Sequence, residues 1–151
     1  MKTVIAILNH ALPLPATFHI QIENAPYMPL TIEGIGTGPR GQAAISVCHY
    51  GEQNGDLMRD PEMCFEVETN AEGAVIELYP YYWRNDYVAM EQQSVFFEGT
   101  DPSEKPLYRI DRYMMSSHAE IATLWDRNLA SQGFDAAFLK SLPLTEKKHT
   151  P

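Results

Sequence analysis

Apolar and polar residues alternate along most of this chain, and this pattern predicts a sheet of antiparallel strands with helices at both ends. The predicted strands cover residues 18–23, 28–35, 44–50, 63–69, 75–83 and 88–97. A period of two puts Ile45, Val47 and His49 on one face of their strand. Short polar breaks such as Asn24-Ala25-Pro26 separate the strands, so they are expected to form a meander.

Helical spacing appears at the two ends of the chain. Val4, Ile7 and Leu8 predict a helix over residues 3–12, which Pro13 ends. Ser117 and Glu120 have the spacing of a capping box and predict a helix that runs to Gly133.

A further short helix is predicted over residues 135–142, while residues 107–114 fit either a strand or a helix. The expected fold is therefore α+β: an antiparallel meander of about five to six strands, with a short N-terminal helix and C-terminal helices packed on one face. Residues 1–142 are expected to form one domain, and residues 143–151 a flexible polar tail.

The charge of the chain narrows the class of partner. Its 151 residues include 11 Lys and Arg against 20 Asp and Glu, which gives a net charge of −9. Nucleic-acid binding needs clustered basic residues, so no direct binding of nucleic acid is expected. The negative charge would instead attract a basic protein partner. The sequence contains no cofactor motif, and no cofactor is expected.

Compartment follows from the apolar segments. The apolar run after Lys2 is broken by Asn9 and His10, which makes it shorter than the apolar core of a signal peptide, and no stretch is long enough to span a membrane. A cytoplasmic protein is expected. Cys48 and Cys64 lie within apolar strands and are predicted to be free, buried thiols.

Titratable residues are concentrated between the strands that end near His49 and begin near Met63, and this segment is predicted to be a long loop. Its candidate catalytic residues are His49, Glu52, Asp56, Asp60 and Glu62. His49, Asp56 and Asp60 are weak candidates for metal ligands, because no metal-binding spacing is present. Alternatively, the carboxylates are turn formers that accept hydrogen bonds from loop amides.

A second conspicuous segment, residues 78–87, carries five aromatic residues and one arginine. It could be a sheet face packed beneath a helix, or a protein-binding surface, since Tyr, Trp and Arg are favoured at interface hot spots. The candidate binding residues are Tyr81, Trp83, Arg84, Asp86, Glu66 and Glu68. An exposed edge strand could also pair with a second copy, so a homodimer is possible.

Three segments carry a resemblance. They are residues 24–33, residues 45–50 together with the string Glu52-Gln53-Asn54-Gly55-Asp56-Leu57-Met58-Arg59-Asp60-Pro61-Glu62-Met63, and Tyr82-Trp83-Arg84-Asn85-Asp86-Tyr87. Together they resemble a small uncharacterised domain family of bacterial phages, plasmids and other mobile elements, over about residues 18–98. The chain departs from that pattern at Gly51 and Ala89. The resemblance implies a genetic setting and no particular reaction.

Three hypotheses result. The first is a small acidic accessory protein of a mobile element that binds a protein partner of host or phage origin and antagonises a defence system such as CRISPR or restriction; this makes an enzyme the less favoured class. The rival is a metal-assisted hydrolase that uses His49, Glu52, Asp56 and Asp60. In the third, Asp56 and Asp60 are structural and bind backbone amides, Arg59 or Arg84.

Overall fold

A six-stranded antiparallel sheet, whose strands follow one another in chain order, forms the centre of the fold. The computed structural model describes residues 1–143. The strands of this sheet are β1 (His19–Asn24), β2 (Tyr27–Thr37), β3 (Ala43–Gln53), β4 (Asp56–Thr69), β5 (Val75–Asn85) and β6 (Met90–Gln93). Neighbours in sequence are neighbours in the sheet, which is therefore a meander, as predicted.

Three helices and a small second sheet complete the described part of the chain. They are α1 (Lys2–Ala11), β7 (Val95–Thr100), β8 (Pro106–Ile110), α2 (Arg112–Gln132) and α3 (Phe134–Ser141). The helices contact one another; α1 and α2 also contact β5, and α3 contacts β1. The α+β class, with an N-terminal helix and C-terminal helices packed on the sheet, is thus confirmed.

The hydrophobic core lies between the helices and one face of the sheet. Ile32, Val47 and Met63 occupy paired positions on three adjacent strands, and all three are fully buried. Leu129 of α2 and Phe134 of α3 are fully buried in the same core. Residues that alternate with these point to the opposite side of the sheet, which we call the open face.

The prediction of a long loop between His49 and Met63 is wrong, because β3 and β4 continue through this segment to a two-residue turn. Gln53 pairs with Asp56, and only Asn54 and Gly55 lie between the two strands. Their φ angles of 52° and 85° are left-handed, as in the type I′ turn that Asn-Gly favours.

Residues 50–58 form an arm at the end of this hairpin. The pairing of β2 with β3 ends at Leu30 and His49, so beyond that point β3 pairs only with β4, from Tyr50 with Arg59 to Gln53 with Asp56. Side chains on both faces of the arm are accessible, and Leu57 is 71 % exposed. This explains why the segment lacks the apolar alternation of a buried strand. We call residues 50–58 the hairpin arm.

The start of α2 also differs from the prediction. The helix begins at Arg112, well before the predicted capping box at Ser117, because Asp111 is the N-cap: its Oδ1 accepts the amide of Met114 at 3.0 Å. Gly133, with φ 77°, ends the helix as predicted. Residues 107–114, which fitted either element, contain the end of β8 and the start of α2.

The predicted strand over residues 88–97 is divided between the two sheets. β6 ends at Gln93, and the buried Ser94 separates it from β7. The amide of Ser94 donates to the carbonyl of Tyr81 at 2.9 Å, and its carbonyl accepts the amide of Asp111 at 2.8 Å. Ser94 therefore connects the main sheet to the start of α2.

Apart from Pro143, the predicted tail lies outside the described residues. Within residues 1–143, the helices are all too short or too polar to cross a membrane.

Replacing Gly55 with Ala tests the turn. Because Gly55 has φ 85°, a Cβ there is strained, and we expect the free energy of unfolding to fall by about 1 kcal/mol. Urea denaturation measures this change. Gly51→Ala is a poor control, because its Cβ would lie 2.4 Å from the hydroxyl of Tyr87; Ser131→Ala on the exposed side of α2 serves better. If Gly55→Ala were as mild as that control, the turn would be wrongly assigned.

Candidate functional site

A shift in the pairing of β3 with β4 brings His49 next to Asp60. At this point one residue of β3, His49, lies opposite two residues of β4, Asp60 and Pro61. The ring of His49 faces the helices, with its centroid 5.5 Å from that of Trp125 and 5.4 Å from that of Phe134.

Helix α2 supplies the other wall of a cleft at this position. Trp125, Asn128 and Gln132 recur at spacings of three and four residues, which puts them along one side of the helix. The cleft has a volume of about 240 Å³ and is lined by Tyr27, Met28, His49, Asp60, Pro61, Trp125, Asn128 and Gln132. We call it the His49 cleft. The sequence indicates only its β3–β4 wall, because no local signal places α2 against these strands.

Hydrogen bonding determines the form of the His49 ring. Nδ1 lies 3.1 Å from the carbonyl oxygen of Pro29 and donates to it, because a carbonyl can only accept. Burial lowers the pKa of His49, although the carbonyls of Pro29 and Met28 and the carboxylate of Asp60 oppose this effect. At neutral pH the ring is therefore uncharged and carries its lone pair on Nε2.

Asp60 is held from one side only. Its Oδ1 accepts a hydrogen bond from Nδ2 of Asn85 at 2.7 Å, while Oδ2 has no protein partner among residues 1–143. Asn85 is itself oriented by the amide of Tyr87, which donates to its Oδ1 at 3.0 Å. A carboxylate with one fixed and one open oxygen can bind a hydrogen-bond donor in the cleft.

Glu52 and Asp56 do not join His49 and Asp60. Both lie on the exposed hairpin arm, where Glu52 pairs with Leu57 and Asp56 with Gln53 next to the turn. Across the described residues, no three His, Cys, Asp or Glu side chains are arranged to hold a metal ion.

Glu62 and Asp86 belong to an ion-pair network on the open face. Asp86 accepts the amide of Arg59 at 2.8 Å and Nε of Arg84 at 2.8 Å, and these two contacts hold its pKa below the usual range. Glu62 accepts the hydroxyl of Ser46 at 2.7 Å and lies 3.5 Å from Nε of Arg59. The network ties β4 to the turn after β5, so these candidate residues have structural partners.

The carboxylate of Glu66 also has structural partners. It is 1 % exposed and accepts Nε of Arg40 at 2.8 Å, together with the amides of Arg40 and Gln42 at 3.1 Å each. A Cβ on Gly38 would lie 2.3 Å from Cγ of Glu66, so glycine is needed for this close approach. Glu66 thus organises the turn between β2 and β3 and is not available to a partner.

The predicted aromatic surface is divided between the two faces of β5. Trp83 pairs with Met63 and packs against the core beneath the helices. Tyr82 lies on the open face, where its hydroxyl donates to Glu91 at 2.7 Å. Tyr81 is partly buried, and burial raises its pKa. Only part of the segment can therefore contact a partner.

The two cysteines are free and buried, as predicted. Burial is the main cause that raises the pKa of Cys48 to about 12, and the same applies to Cys64. Cys48 lies on the open face and His49 on the helix face, so the two cannot form a nucleophile–base pair.

Several glutamates on the open face have no cationic partner. Strand pairing places on this face Glu23, Glu33, Glu68, Glu77 and Glu91. Among residues 1–143 none of them lies within 4.0 Å of a Lys or Arg nitrogen, and Glu33 faces only His19, at 3.2 Å. Sequence reasoning identified Glu68 alone from this set; alternation along the strands was the signal for the others.

Comparison with known proteins gives a family without a function. The model of a domain of unknown function, DUF6908, matches residues 2–135. No curated protein matches the chain, and no solved structure does so either.

The buried carboxylate of Glu66 can be tested by Glu66→Ala. The substitution leaves Arg40 and two amides without their acceptor, and we expect a loss of about 2–4 kcal/mol in the free energy of unfolding. Glu68→Ala, two residues along the same strand but exposed, should cost about 0.5 kcal/mol in the same urea titration. Equal losses for both variants would contradict the assigned role.

His118 is a second buried histidine, at 0 % exposure. Its Nδ1 lies 3.0 Å from the hydroxyl of Ser94, and Nε2 has no hydrogen-bond partner in the described part of the chain. Burial lowers the pKa of this histidine.

Stability should therefore decrease on acidification. A lowered folded-state pKa means that the unfolded chain binds protons first, so stability is complete above about pH 6.5 and falls as the pH drops towards the folded-state values. For each histidine the slope is at most about 1.4 kcal/mol per pH unit. Urea titrations between pH 7 and 5 measure this slope. His49→Gln and His118→Gln should each reduce it, and an unchanged slope in both variants would refute the assignment.

Proposed function

We propose, for a chain that belongs to the DUF6908 family of domains of unknown function, that it is a small acidic binding protein of a mobile genetic element and acts by contact with a basic protein surface. The observation that carries this proposal is the set of five glutamates on the open face, Glu23, Glu33, Glu68, Glu77 and Glu91.

Charge and composition of this face favour a protein ligand. The arginines of the open-face network are paired with Asp86, Glu62 and Glu66, which leaves the five glutamates to set the sign of the surface. The net charge of −9 adds long-range attraction for a basic partner and raises its association rate.

Exposed apolar groups next to this face provide contact area. Leu57 on the hairpin arm is 71 % exposed, and Val88 and Met90 after β5 are 58 % and 45 % exposed. The hydroxyl of Tyr87 lies close to Gly51, which joins the arm to this turn. Exposed apolar side chains beside a charged rim are common at protein interfaces.

A defence protein fits the chemistry of such a partner. Restriction and CRISPR effectors hold nucleic acid in grooves lined by Lys and Arg. An acidic face could occupy a groove of this kind, and the resemblance to domains of phages and plasmids favours this setting.

The proposal predicts that partner binding depends on the open face. We expect Glu33→Gln, Glu68→Gln and Glu91→Gln, combined in one variant, to abolish capture of a basic protein by the tagged chain. The control combines Glu72→Gln, Glu104→Gln and Glu120→Gln, which are exposed elsewhere and change the net charge equally. Affinity purification with mass spectrometry compares the three chains at low and high salt, and the captured protein is then purified and its binding measured.

The same variants should differ in cells. In a host with an active restriction or CRISPR system, the wild type and the control should protect an incoming plasmid and raise its transformation efficiency. The open-face variant should not. Capture that is equal for both variants, or a wild type that captures no protein, would overturn the proposal.

A metal-assisted hydrolase has less support. Of its four residues, His49 and Asp60 line one cleft, whereas Glu52 and Asp56 lie on the hairpin arm. Its remaining basis is an uncharged imidazole beside a carboxylate, which is compatible with acid–base chemistry.

A further inference from the structure

The His49 cleft is a polar recess at the edge of an apolar interlayer, and its function is not explained by the fold. Its floor, formed by His49 and Trp125, is more than nine-tenths buried, yet the recess opens between β2 and α2 beside the half-exposed Tyr27 and Met28. We propose that the cleft binds the cationic side chain of a lysine or arginine. This inference rests on the proposed function, since the side chain would belong to the basic partner.

Two acceptor atoms in the cleft, one on Asp60 and one on His49, can each bind a hydrogen-bond donor. Oδ2 of Asp60 has no protein partner among the described residues, and Nε2 of His49 carries the lone pair, since Nδ1 donates to Pro29. Asn128 and Gln132 on α2 each carry an amide oxygen that accepts and an amide nitrogen that donates, and Nε1 of the buried Trp125 is a donor without a protein partner among the described residues. A cation with several N–H donors, such as guanidinium or ammonium, complements the Asp60 carboxylate, the His49 lone pair and the two amide oxygens.

Charge and shape agree with the same ligand. Within residues 1–143, Asp60 is the only acidic residue that lines the cleft, and no Lys or Arg lines it. Trp125 lines the cleft, and an aromatic ring is a favourable neighbour for a cation. A volume of about 240 Å³ is enough for one amino-acid side chain, but it lies below the range of roughly 300–1,000 Å³ that is usual for cofactor and drug-sized ligands.

The position of the cleft allows one partner to reach it and the open face together. Arg59 belongs to the open-face network, and its neighbour Asp60 lines the cleft. Both are on β4 at the base of the hairpin arm. The sheet separates the two surfaces, so a basic partner would reach both by extending around the hairpin arm, where β2 no longer pairs with β3.

The test uses Nα-acetyl-arginine amide as the probe and the indole N–H resonance of Trp125 as the reporter in ¹⁵N NMR at pH 7. The chain has two tryptophans, and Trp83→Phe assigns the signals. We expect a saturable shift of the Trp125 signal with a Kd in the millimolar range, and none with the uncharged citrulline analogue. Asp60→Asn keeps an acceptor for Asn85 but removes the charge, and should weaken binding by roughly 10- to 100-fold.

Asp56→Asn is the matched control, because Asp56 lies on the exposed hairpin arm, outside the cleft; it should bind arginine like the wild type. No saturable shift, an equal affinity for citrulline, or an unchanged affinity in Asp60→Asn would each overturn the proposal. Arginine binding in a chain that captures no protein would support the cleft and refute only the proposed function. Capture of a protein partner without arginine binding would refute the cleft proposal and support the proposed function.

Discussion

The fold depends most on the pairing of β3 with β4, the two central strands of the meander. Their register places Ile45 opposite Phe65 and Val47 opposite Met63, and all four are buried beneath the helices. A slip of one residue would turn these side chains to the open face and bring carboxylates such as Glu66 into the core. The hydrophobic effect therefore specifies this register strongly.

The same pairing has a local irregularity from which the candidate site arises. With one residue of β3 opposite two of β4, Asp60 lies on the helix side together with His49, and Arg59 remains on the open side with Glu62. The conspicuous string of charged residues is thereby divided: one part holds the end of the sheet together, and the other lines the cleft.

The two sides of the sheet satisfy their polar groups differently, and this difference suggests how the protein works. On the helix side, His49 and His118 are uncharged because burial disfavours the imidazolium form. On the open face, Glu62 and Glu66 are paired with arginines, but the other glutamates have no Lys or Arg partner among the described residues. Surface carboxylates without a cationic partner contribute little to stability, so their concentration on one face fits recognition better than folding.

Sequence by itself determined the fold class and most elements, because a buried face imposes a period of two on strands and of 3.6 on helices, and both leave a local signal. The hairpin arm was not predicted as strand, because residues 50–58 bury neither face and the turn residues Asn54-Gly55 were the only local signal for it. Asp111, and not Ser117, is the N-cap of α2, since either side chain can cap a helix and the local pattern does not distinguish them. The cleft was decided by tertiary structure alone: Trp125, Asn128 and Gln132 meet His49 and Asp60 only because α2 packs across the sheet.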